Sequence, residues 1–550
     1  GTRVIVDGET VGYSRDCSAD TQVEFVYRTT SGSWAAYTPG MPRPGDMAQT
    51  TTSEGKTVDY IVRHERGTIN RFLYSIAMLA PFDKDEHTLG RDAWNGKVIF
   101  RFDGGVAIGH TQGRMSGSGM RYDVGLSQGY AVLYSSGTRT NTHYNLQLGG
   151  ETALMVKERF IELYDEPVYT VAIGGSGGGI QQYVYAQNHP GLLDGGIPQL
   201  SYPDMVTQAV HIGDCELTEF FFDVVQGPFG PGPVNPKWQT WSNRSFIQGL
   251  NASDTLPNVF FGGAPGLTEC VNGWRGLSPL ALNPNFGRVD NQALFHPQSA
   301  IAGIEWTHFS DIVNIVGLRP DGYARRYWDN VGVQYGLQAL KDGDITIDEF
   351  VTLNFVIGGW KEPGEMVQEG FPFVGPFDMA NFDVWSARNQ TFSDGAAPGQ
   401  RTVGDIGAMR DVYRSGLVFM GDIDIPLIDY RPYLEHVLDM HNSHQSFASR
   451  KRMLNAKGEA ANQVVWFSDT DVEGEGMDKT PEALEVLDEW LMNIRANPQA
   501  GTAANRPPRA TDRCFDVRGA EIAAGDGVWD GIIDDESPGA CTQEFKVYST

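Results

Sequence analysis

The chain has 550 residues, with 69 acidic and 42 basic side chains, so its formal net charge is −27 at pH 7. This negative charge excludes nucleic acid and anionic membrane surfaces as favourable partners. No apolar run reaches the roughly eighteen residues of a membrane-spanning helix, so no membrane partner is expected. The length is sufficient for one full hydrophobic core and an additional inserted region.

Strand-like and helix-like segments alternate in the first part of the chain. Strands are predicted at 97–102, 130–134, 169–173 and 192–200, and helices at 123–128, 152–164 and 179–187. Helix 152–164 is expected to bury a face that carries Leu154, Val156, Phe160, Ile161 and Leu163. Downstream, strands are predicted at 425–429 and 463–467 and a closing helix at 481–494. This pattern predicts an α/β fold with a doubly wound, mostly parallel sheet, in the strand order of an α/β-hydrolase core.

Ser176 lies in a glycine-rich turn between a predicted strand and a predicted helix. Gly174 and Gly178 complete the pattern G-x-S-x-G, which allows a strained turn to expose the serine hydroxyl above the sheet. The alternative is a glycine-rich loop that cradles a phosphate. No Lys-Ser/Thr pair follows, and the dinucleotide-binding spacing is matched only loosely. The turn therefore predicts Ser176 as a nucleophile.

Two further glycines are expected to stabilise negative charge on a reacting carbonyl oxygen. Gly104 and Gly105 follow strand 97–102, where hydrolases of this class place one backbone N–H donor. The second donor is the N–H of Gly177, directly after the serine. A Gly-Gly pair after a strand is common, so this prediction depends on the turn at Ser176.

The chain is predicted to consist of three parts. Residues 1–205 carry N-terminal strands and the first part of the hydrolase core, 206–404 form a large inserted lid or cap, and 405–550 complete the core and end in a disulfide-closed tail. Tryptophans of the insert either wall a pocket over the serine or form the insert's own core. They are Trp238, Trp241, Trp274, Trp306, Trp328, Trp360 and Trp385.

The general base is expected downstream of the insert, although its usual position is vacant. In most enzymes of this class the histidine follows the last core strand, but the chain reads Ser-Asp-Thr-Asp-Val there, at 468–472. The last of the eleven histidines is His444. His441 is the candidate base, and His436 and His444 are the alternatives.

The carboxylate that orients the base is expected near the end of strand 425–429. Asp439 occupies the loop where hydrolases usually keep this residue. Asp439 lies only two residues before His441, a spacing that does not favour contact between the two side chains on an extended strand. A turn at Met440 would bring them together. Asp429 and Asp469 are the competing candidates.

The chain resembles a family of secreted α/β-hydrolases related to tannases and feruloyl esterases. The matching stretches include Asp16-Cys-Ser-Ala, Gly67-Thr-Ile-Asn70, Asp329-Asn-Val-Gly-Val-Gln-Tyr-Gly336, Ile428-Asp-Tyr-Arg431 and Asp439-Met-His441. The resemblance implies the hydrolase fold and Ser176 as nucleophile. Tannase-like enzymes join the serine and histidine loops by a disulfide, whereas this chain has Gly175 before the serine and no cysteine near His441.

The five cysteines favour an oxidising compartment. Their spacing predicts a Cys514–Cys541 bridge in the tail and a Cys215–Cys270 bridge in the insert, which leaves Cys17 unpaired or paired elsewhere. No clustered zinc motif is present. A secreted or periplasmic location is therefore expected.

Two acidic segments invite comparison with calcium loops. Segment 342–350 resembles the second half of an EF-hand loop, but residues 338–341 lack the first carboxylates, so a turn that starts a helix is expected instead. Segment 526–535 is also short of a full ligand set. No cofactor or metal site is predicted, although the resemblance implies a structural calcium ion that the sequence does not place.

The sequence therefore predicts a secreted serine hydrolase that cleaves a carboxylic ester through an acyl-enzyme. The expected partner is a small-molecule or oligomeric ester substrate, and the sequence does not indicate an oligomeric state. One alternative is amide hydrolysis. Another is a non-catalytic binding protein on a hydrolase scaffold, because the histidine after the last strand is missing.

Overall fold

A computed structural model defines the architecture of most of the chain. It describes residues 3–6, 9–13, 17–18, 20–106, 112–275, 282–284, 308–367 and 383–547. Trp306 of the sequence analysis lies outside this set.

A twelve-stranded sheet forms the centre of the described structure. Its strands in chain order are β1 (Gln22–Arg28), β2 (Trp34–Tyr37), β3 (Ile61–Ile69), β4 (Phe72–Leu79), β5 (Lys97–Asp103), β6 (Ala131–Arg139), β7 (Tyr169–Gly175), β8 (Gly195–Gln199), β9 (Leu427–Pro432), β10 (Gln463–Ser468), β11 (Arg513–Phe515) and β12 (Glu521–Ala524). Their spatial order is β12-β11-β10-β9-β8-β7-β5-β6-β4-β3-β1-β2. Neighbours from β6 to β11 are parallel, and the strands at both edges are antiparallel. This is the predicted α/β-hydrolase sheet.

The longer helices connect these strands or belong to the insert. They are α1 (Leu146–Tyr164), α2 (Gly177–Asn188), α3 (Met205–Phe220), α4 (His308–Val316), α5 (Ile347–Val356), α6 (Ile406–Arg414), α7 (His444–Lys457) and α8 (Thr480–Ala496). Short α-helical turns are Gly117–Met120, Asp123–Leu126, Ser245–Gln248, Leu337–Asp342, Gly501–Ala504 and Ala540–Glu544.

Helices cover both faces of the parallel strands because alternate residues point to opposite sides. On β5, Phe100 and Phe102 pack in the cluster that includes α1 and α2. Ile99 packs on the other face, in the cluster that contains Leu487 and Trp490 of α8. Both faces of the sheet are therefore buried, as parallel strands require.

Two local predictions are corrected by the structure. Strand 192–200 is shorter than predicted, because β8 begins at Gly195. Helix α1 begins six residues before 152, and Leu154 is 41 % exposed instead of buried. The buried face of α1 carries Val156, Phe160 and Tyr164, which follow the helical spacing of three to four residues.

Residues 200–426 lie between β8 and β9, and their described part contributes no strand to the large sheet. Their own strands form the ladders Ala252–Asn258 with Ala264–Thr268 and Ile357–Trp360 with Gln390–Phe392. Two further ladders, Arg3–Val6 with Glu9–Tyr13 and Gln49–Thr51 with Thr57–Asp59, lie near the N-terminus of the chain. The domain boundaries at 205 and 404 stay predictions.

Most of the insert's described tryptophans are buried. The buried ones are Trp238, Trp274, Trp328 and Trp360, and all four belong to the hydrophobic cluster that also contains β5, α1 and α2. Trp241 and Trp385 are half-buried. The insert and the sheet thus share one continuous core, and its tryptophans contribute to that core.

The predicted disulfide pairing is confirmed. Cys215 of α3 is bonded to Cys270, with Cα atoms 5.2 Å apart. Cys514 of β11 is bonded to Cys541 in the tail, and Cys17 is a free, half-buried thiol. Within the described ranges, no helix is both long and apolar enough to cross a membrane.

Candidate active site

Ser176 lies at the carboxyl end of β7, at the sharp turn into α2. Its backbone is left-handed, with φ 57° and ψ −122°, a conformation that a residue with a side chain seldom adopts. The turn is fixed because the N–H of Ser176 donates to the carbonyl of Gln199 in β8, at 2.9 Å. The strained strand-turn-helix geometry expected from G-x-S-x-G is therefore present.

The glycines around the serine are required by close packing against β5. A Cβ atom on Gly174 would lie 2.0 Å from the carbonyl oxygen of Phe102, and one on Gly178 would lie 2.4 Å from the same atom. No side chain fits at either position. The end of β5 thus holds both sides of the turn, and local sterics set the position of Ser176.

The loop after β5 lies directly against the serine turn. A Cβ atom on Gly104 would be 2.7 Å from Ser176 Cβ and 3.0 Å from the backbone nitrogen of Gly177. Gly177 is the first residue of α2, where backbone N–H groups have no acceptor within the helix. Gly105 is left-handed (φ 100°), and its carbonyl accepts a hydrogen bond from Thr140 Oγ1 at 2.7 Å. The three predicted oxyanion residues therefore meet at one place.

His441 and Asp439 form a hydrogen-bonded pair in the loop after β9. The distance between His441 Nδ1 and Asp439 Oδ1 is 2.5 Å, and the same carboxylate oxygen accepts the backbone N–H of His441 at 2.9 Å. This Asx turn brings together two side chains that an extended strand would separate. Burial raises the pKa of Asp439, but its hydrogen bonds and charge interaction with His441 outweigh burial, so the pKa lies below its usual value.

The other imidazole nitrogen of His441, Nε2, is not bound by Asp439. His441 Nε2 is buried and has no hydrogen-bond partner in the described structure, so the bond to Ser176 is not formed. Arg431 Nη1 donates to the carbonyl of His441 at 2.7 Å, and the ring of Tyr202 lies 5.6 Å from the imidazole. Because Tyr202 follows β8 and Ser176 follows β7, His441 and the serine lie at the same edge of the sheet.

The two alternative histidines lack this arrangement. His436 is exposed, and its Nε2 is 2.6 Å from the carbonyl of Asp471. His444 begins α7, and burial, with the charges of His211 and Arg431, lowers its pKa to about 3. Neither imidazole has a carboxylate on its ring nitrogens, so His441 is the best candidate base.

The competing carboxylates also have other partners. Asp429 is fully buried and accepts hydrogen bonds from the hydroxyls of Tyr183, Ser201 and Ser446, at 2.5, 2.8 and 2.8 Å. The side chain of Asp469, after β10, accepts the backbone N–H of Thr470. These contacts give Asp429 a role in joining β9, α2 and α7, and they leave Asp439 as the only one of the three carboxylates that contacts an imidazole.

Two neighbours of the pair were not predicted from the sequence as site residues. Arg431 Nη2 donates to the carbonyl of Ser201 at 2.5 Å, and Tyr202 donates its hydroxyl to the carbonyl of Met440 at 2.6 Å. Burial raises the pKa of Tyr202 well above its usual value, so this hydroxyl stays a donor. The sequence did contain a signal for Arg431, because it ends the family-like stretch Ile428-Asp-Tyr-Arg431.

The acidic segments provide no metal-binding cluster in the described part of the chain. Segment 342–350 contains the start of α5, where Thr346 and Glu349 form a reciprocal capping box, as the helix-start interpretation predicted. In segment 526–535, Asp534 accepts the backbone N–H groups of Gly531 and Glu536.

A protein-family model covers almost the whole chain. The model of the tannase-like family of unknown function (DUF6351) matches residues 6–550. The chain belongs to this family. The resemblance stated from the sequence is thereby confirmed, and no match is found among curated protein sequences.

The solved structures that match the chain are distant in sequence. Feruloyl esterase B from Aspergillus oryzae is 11 % identical over a match that covers 86 % of each chain, with a TM-score of 0.36. An esterase from Aspergillus oryzae is 13 % identical over 95 % of this chain and 83 % of that one, with a TM-score of 0.32. Tannin acyl hydrolase from Aspergillus niger is 12 % identical over 92 % and 79 %, with a TM-score of 0.27.

Proposed function

We propose that the protein is a serine hydrolase that cleaves carboxylic esters through an acyl-enzyme on Ser176. The observation that carries this proposal is the His441 imidazole. Its Nδ1 is held by Asp439, and its Nε2 is buried without a partner at the sheet edge that also carries the strained serine. An imidazole held in this way is poised to act as a general base.

In the proposed reaction Ser176 Oγ attacks the ester carbonyl while His441 Nε2 accepts the hydroxyl proton. Asp439 keeps the Nδ1 proton in place and stabilises the imidazolium that forms. The imidazolium then donates its proton to the leaving alcohol. Water enters, gives a proton to His441 and attacks the acyl-enzyme. The ester bond to Ser176 then breaks, the imidazolium returns its proton to Ser176 Oγ, and the acid is released. Catalytic hydrogen bonds that are long without substrate commonly tighten in the reacting complex, so the open Ser176–His441 pair is compatible with this role.

The tetrahedral intermediate would be stabilised by backbone N–H groups. Gly177 supplies one donor at the first turn of α2, and Gly104 or Gly105 supplies the other from the loop after β5. The contact between Gly104 and the serine turn supports this assignment, because both donors then lie beside the reacting carbon.

Membership of a tannase-like family favours an ester over an amide as substrate. The ester can be a small molecule or part of an oligomer. The two disulfides support a secreted or periplasmic location, because such bridges persist in oxidising compartments.

The proposal is tested with a fluorophosphonate probe and a chromogenic short-chain ester. We expect the probe to label Ser176, and we expect Ser176→Ala to reduce turnover to background while the exposed Ser31→Ala control retains full activity. An anilide that matches the ester separates amide from ester hydrolysis. Wild-type protein that neither reacts with the probe nor hydrolyses any ester would contradict the proposal.

A further inference from the structure

The loop that carries Asp439 and His441 is held by the insert as well as by the core. Asn272 Nδ2 donates to the carbonyls of Val437 and Leu438, at 3.3 and 3.0 Å. The next residue, Gly273, lies so close to Met440 that an added Cβ would be 2.6 Å from Met440 Cβ. The insert thus contacts the chain on both sides of Asp439.

A buried glutamate closes the same loop. Glu435 Oε1 accepts the backbone N–H of Ser443 at 2.6 Å and also the Ser443 hydroxyl. Glu435 Oε2 accepts Asn251 Nδ2 of the insert at 2.6 Å. Since Glu435 and Ser443 flank Asp439 and His441, one carboxylate joins the two ends of the loop to each other and to the insert.

A second glutamate from the insert completes this group. Glu269 is fully buried and accepts the backbone N–H of Asn251 at 3.0 Å. Burial, followed by the charge of Glu435 and a hydrogen bond between the two carboxyl groups, raises the pKa of Glu269 well above its usual value. The carboxyl groups of Glu269 and Glu435 are therefore in direct contact, at the boundary between the insert and the loop.

The Glu435 carboxyl group thus accepts three hydrogen bonds, from the N–H and O–H of Ser443 and from the side-chain amide of Asn251. A buried carboxyl group is destabilised when such donors are lost, because nothing else satisfies its oxygens. This requirement fixes the distance between the loop and the insert.

We infer that Glu435, Asn251, Glu269 and Asn272 are positioning residues that hold the loop at 435–443, and with it Asp439 and His441, in the geometry needed for proton transfer. The inference rests on the proposed function. It assigns the insert a part in the reaction itself, in addition to any role as a cover. A misplacement of reacting groups by about 1 Å can reduce turnover by about 10²-fold.

An isosteric substitution separates this role from simple packing. In Glu435→Gln the new NH₂ must face one of the surrounding donors, so the loop is expected to shift and kcat to fall about 100-fold, with KM changed less than about threefold.

The matched control is Glu349→Gln. This insert carboxylate also accepts the N–H and hydroxyl of one residue, Thr346, and a third donor from Lys237, but it caps α5 and does not touch the loop. Its substitution is expected to lower the melting temperature and leave kcat unchanged. A fall in kcat for Glu435→Gln alone therefore reports on the loop.

Asn272→Ala keeps the test decisive if Glu435→Gln does not fold, because Asn272 is exposed. Loss of its two donors is expected to reduce kcat about tenfold without a change in melting temperature. Full kcat in Asn272→Ala, or in folded Glu435→Gln, would overturn the inference and leave the proposed function intact. Absence of Ser176-dependent hydrolysis in wild-type protein would overturn both.

Discussion

The two halves of the candidate active site are built in different ways. The serine half is fixed by backbone packing, because Gly104, Gly174 and Gly178 lie too close to neighbouring atoms to carry a side chain. The histidine half is fixed by side-chain hydrogen bonds that reach the loop after β9 from distant parts of the chain. Arg431 comes from β9 itself and Tyr202 from the end of β8, whereas Asn272 belongs to the insert.

This difference indicates which half is sensitive to change elsewhere in the protein. Packed backbone around Ser176 leaves few alternative conformations and depends on residues of β5, β7 and α2. The loop with His441 is held by separate donors, and loss of one of them permits a local shift without unfolding. Substitutions in the insert should therefore affect the base and acid more than the nucleophile.

The largest expected effect is in the histidine half, on substitution of the carboxylate. Asp439→Asn should reduce kcat by about 10⁴-fold, because the amide no longer holds the reactive tautomer of His441. The protein should stay folded, with an unchanged circular dichroism spectrum. Asp469→Asn, after β10, is the control and should retain wild-type turnover. A near-wild-type Asp439→Asn would remove Asp439 from the proposed triad.

The serine half is tested by Gly104→Ala. The added methyl would lie 2.7 Å from both the Gly175 carbonyl and Ser176 Cβ, so the loop must move away from the serine turn. We expect kcat to fall about 10²–10³-fold, the range for loss of one oxyanion donor. Gly45→Ala, at a position with open space and no left-handed backbone, is the control. Equal activity of the two variants would show that Gly104 does not shape this half.

A smaller effect is expected from the two disulfides, because only one of them holds a segment that contacts the histidine half. Removal of Cys215–Cys270 by paired alanine substitutions releases the segment that begins at Cys270 and carries Asn272, so kcat should fall about tenfold. Removal of Cys514–Cys541 in the tail should leave kcat unchanged. Each loss should lower the free energy of unfolding by about 2–4 kcal/mol, as measured in urea. An equal effect of both on kcat would contradict a special role of the insert bridge.

The smallest expected effect is a loss of folding stability at low pH, caused by His444 next to the histidine half. Burial lowers the pKa of His444 to about 3, from an unfolded value of 6.5, so the folded protein binds its proton less readily than the unfolded chain. Its contribution to stability is complete above pH 6.5 and is lost as the pH falls toward 3. At about pH 4.5 this loss is about 3 kcal/mol.

His444→Gln should remove this part of the acid dependence when urea unfolding is compared at about pH 7 and pH 4.5. The exposed His436→Gln should keep the wild-type dependence. Because burial also lowers the pKa of His143 and of His211 to about 4, a residual decrease in stability is expected in every variant. Identical curves for His444→Gln and wild type would contradict the assigned environment of His444.

The sequence predicted the sheet and the serine half because their determinants are local. The apolar run of β7, the glycines around Ser176 and the start of α2 are contiguous, and each favours the same strand-turn-helix geometry. The family resemblance implies the same residue, Ser176, as nucleophile, and this role stays a prediction. The ends of strands and helices were less predictable. Helix α1 begins at Leu146 and leaves Leu154 exposed, and the apolar periodicity of the sequence shows neither feature.

The histidine half could be predicted only as a set of alternatives. The pairing of Asp439 with His441 depends on an Asx turn and on the left-handed Leu438 before it, and neither follows from residue spacing. Glu269 and Glu435 gave no signal at all. They are 166 residues apart in the sequence, and a buried carboxyl pair has no characteristic motif.

The separation of only two residues between Asp439 and His441 has a mechanical consequence. Where acid and base lie on different loops, each can move alone, and the tautomer of the imidazole is lost when they part. Here both side chains belong to one Asx turn, so any displacement of that turn would carry them together and preserve the Nδ1 contact. In the proposed triad, the gap between this turn and the serine hydroxyl is then the one distance left to adjust.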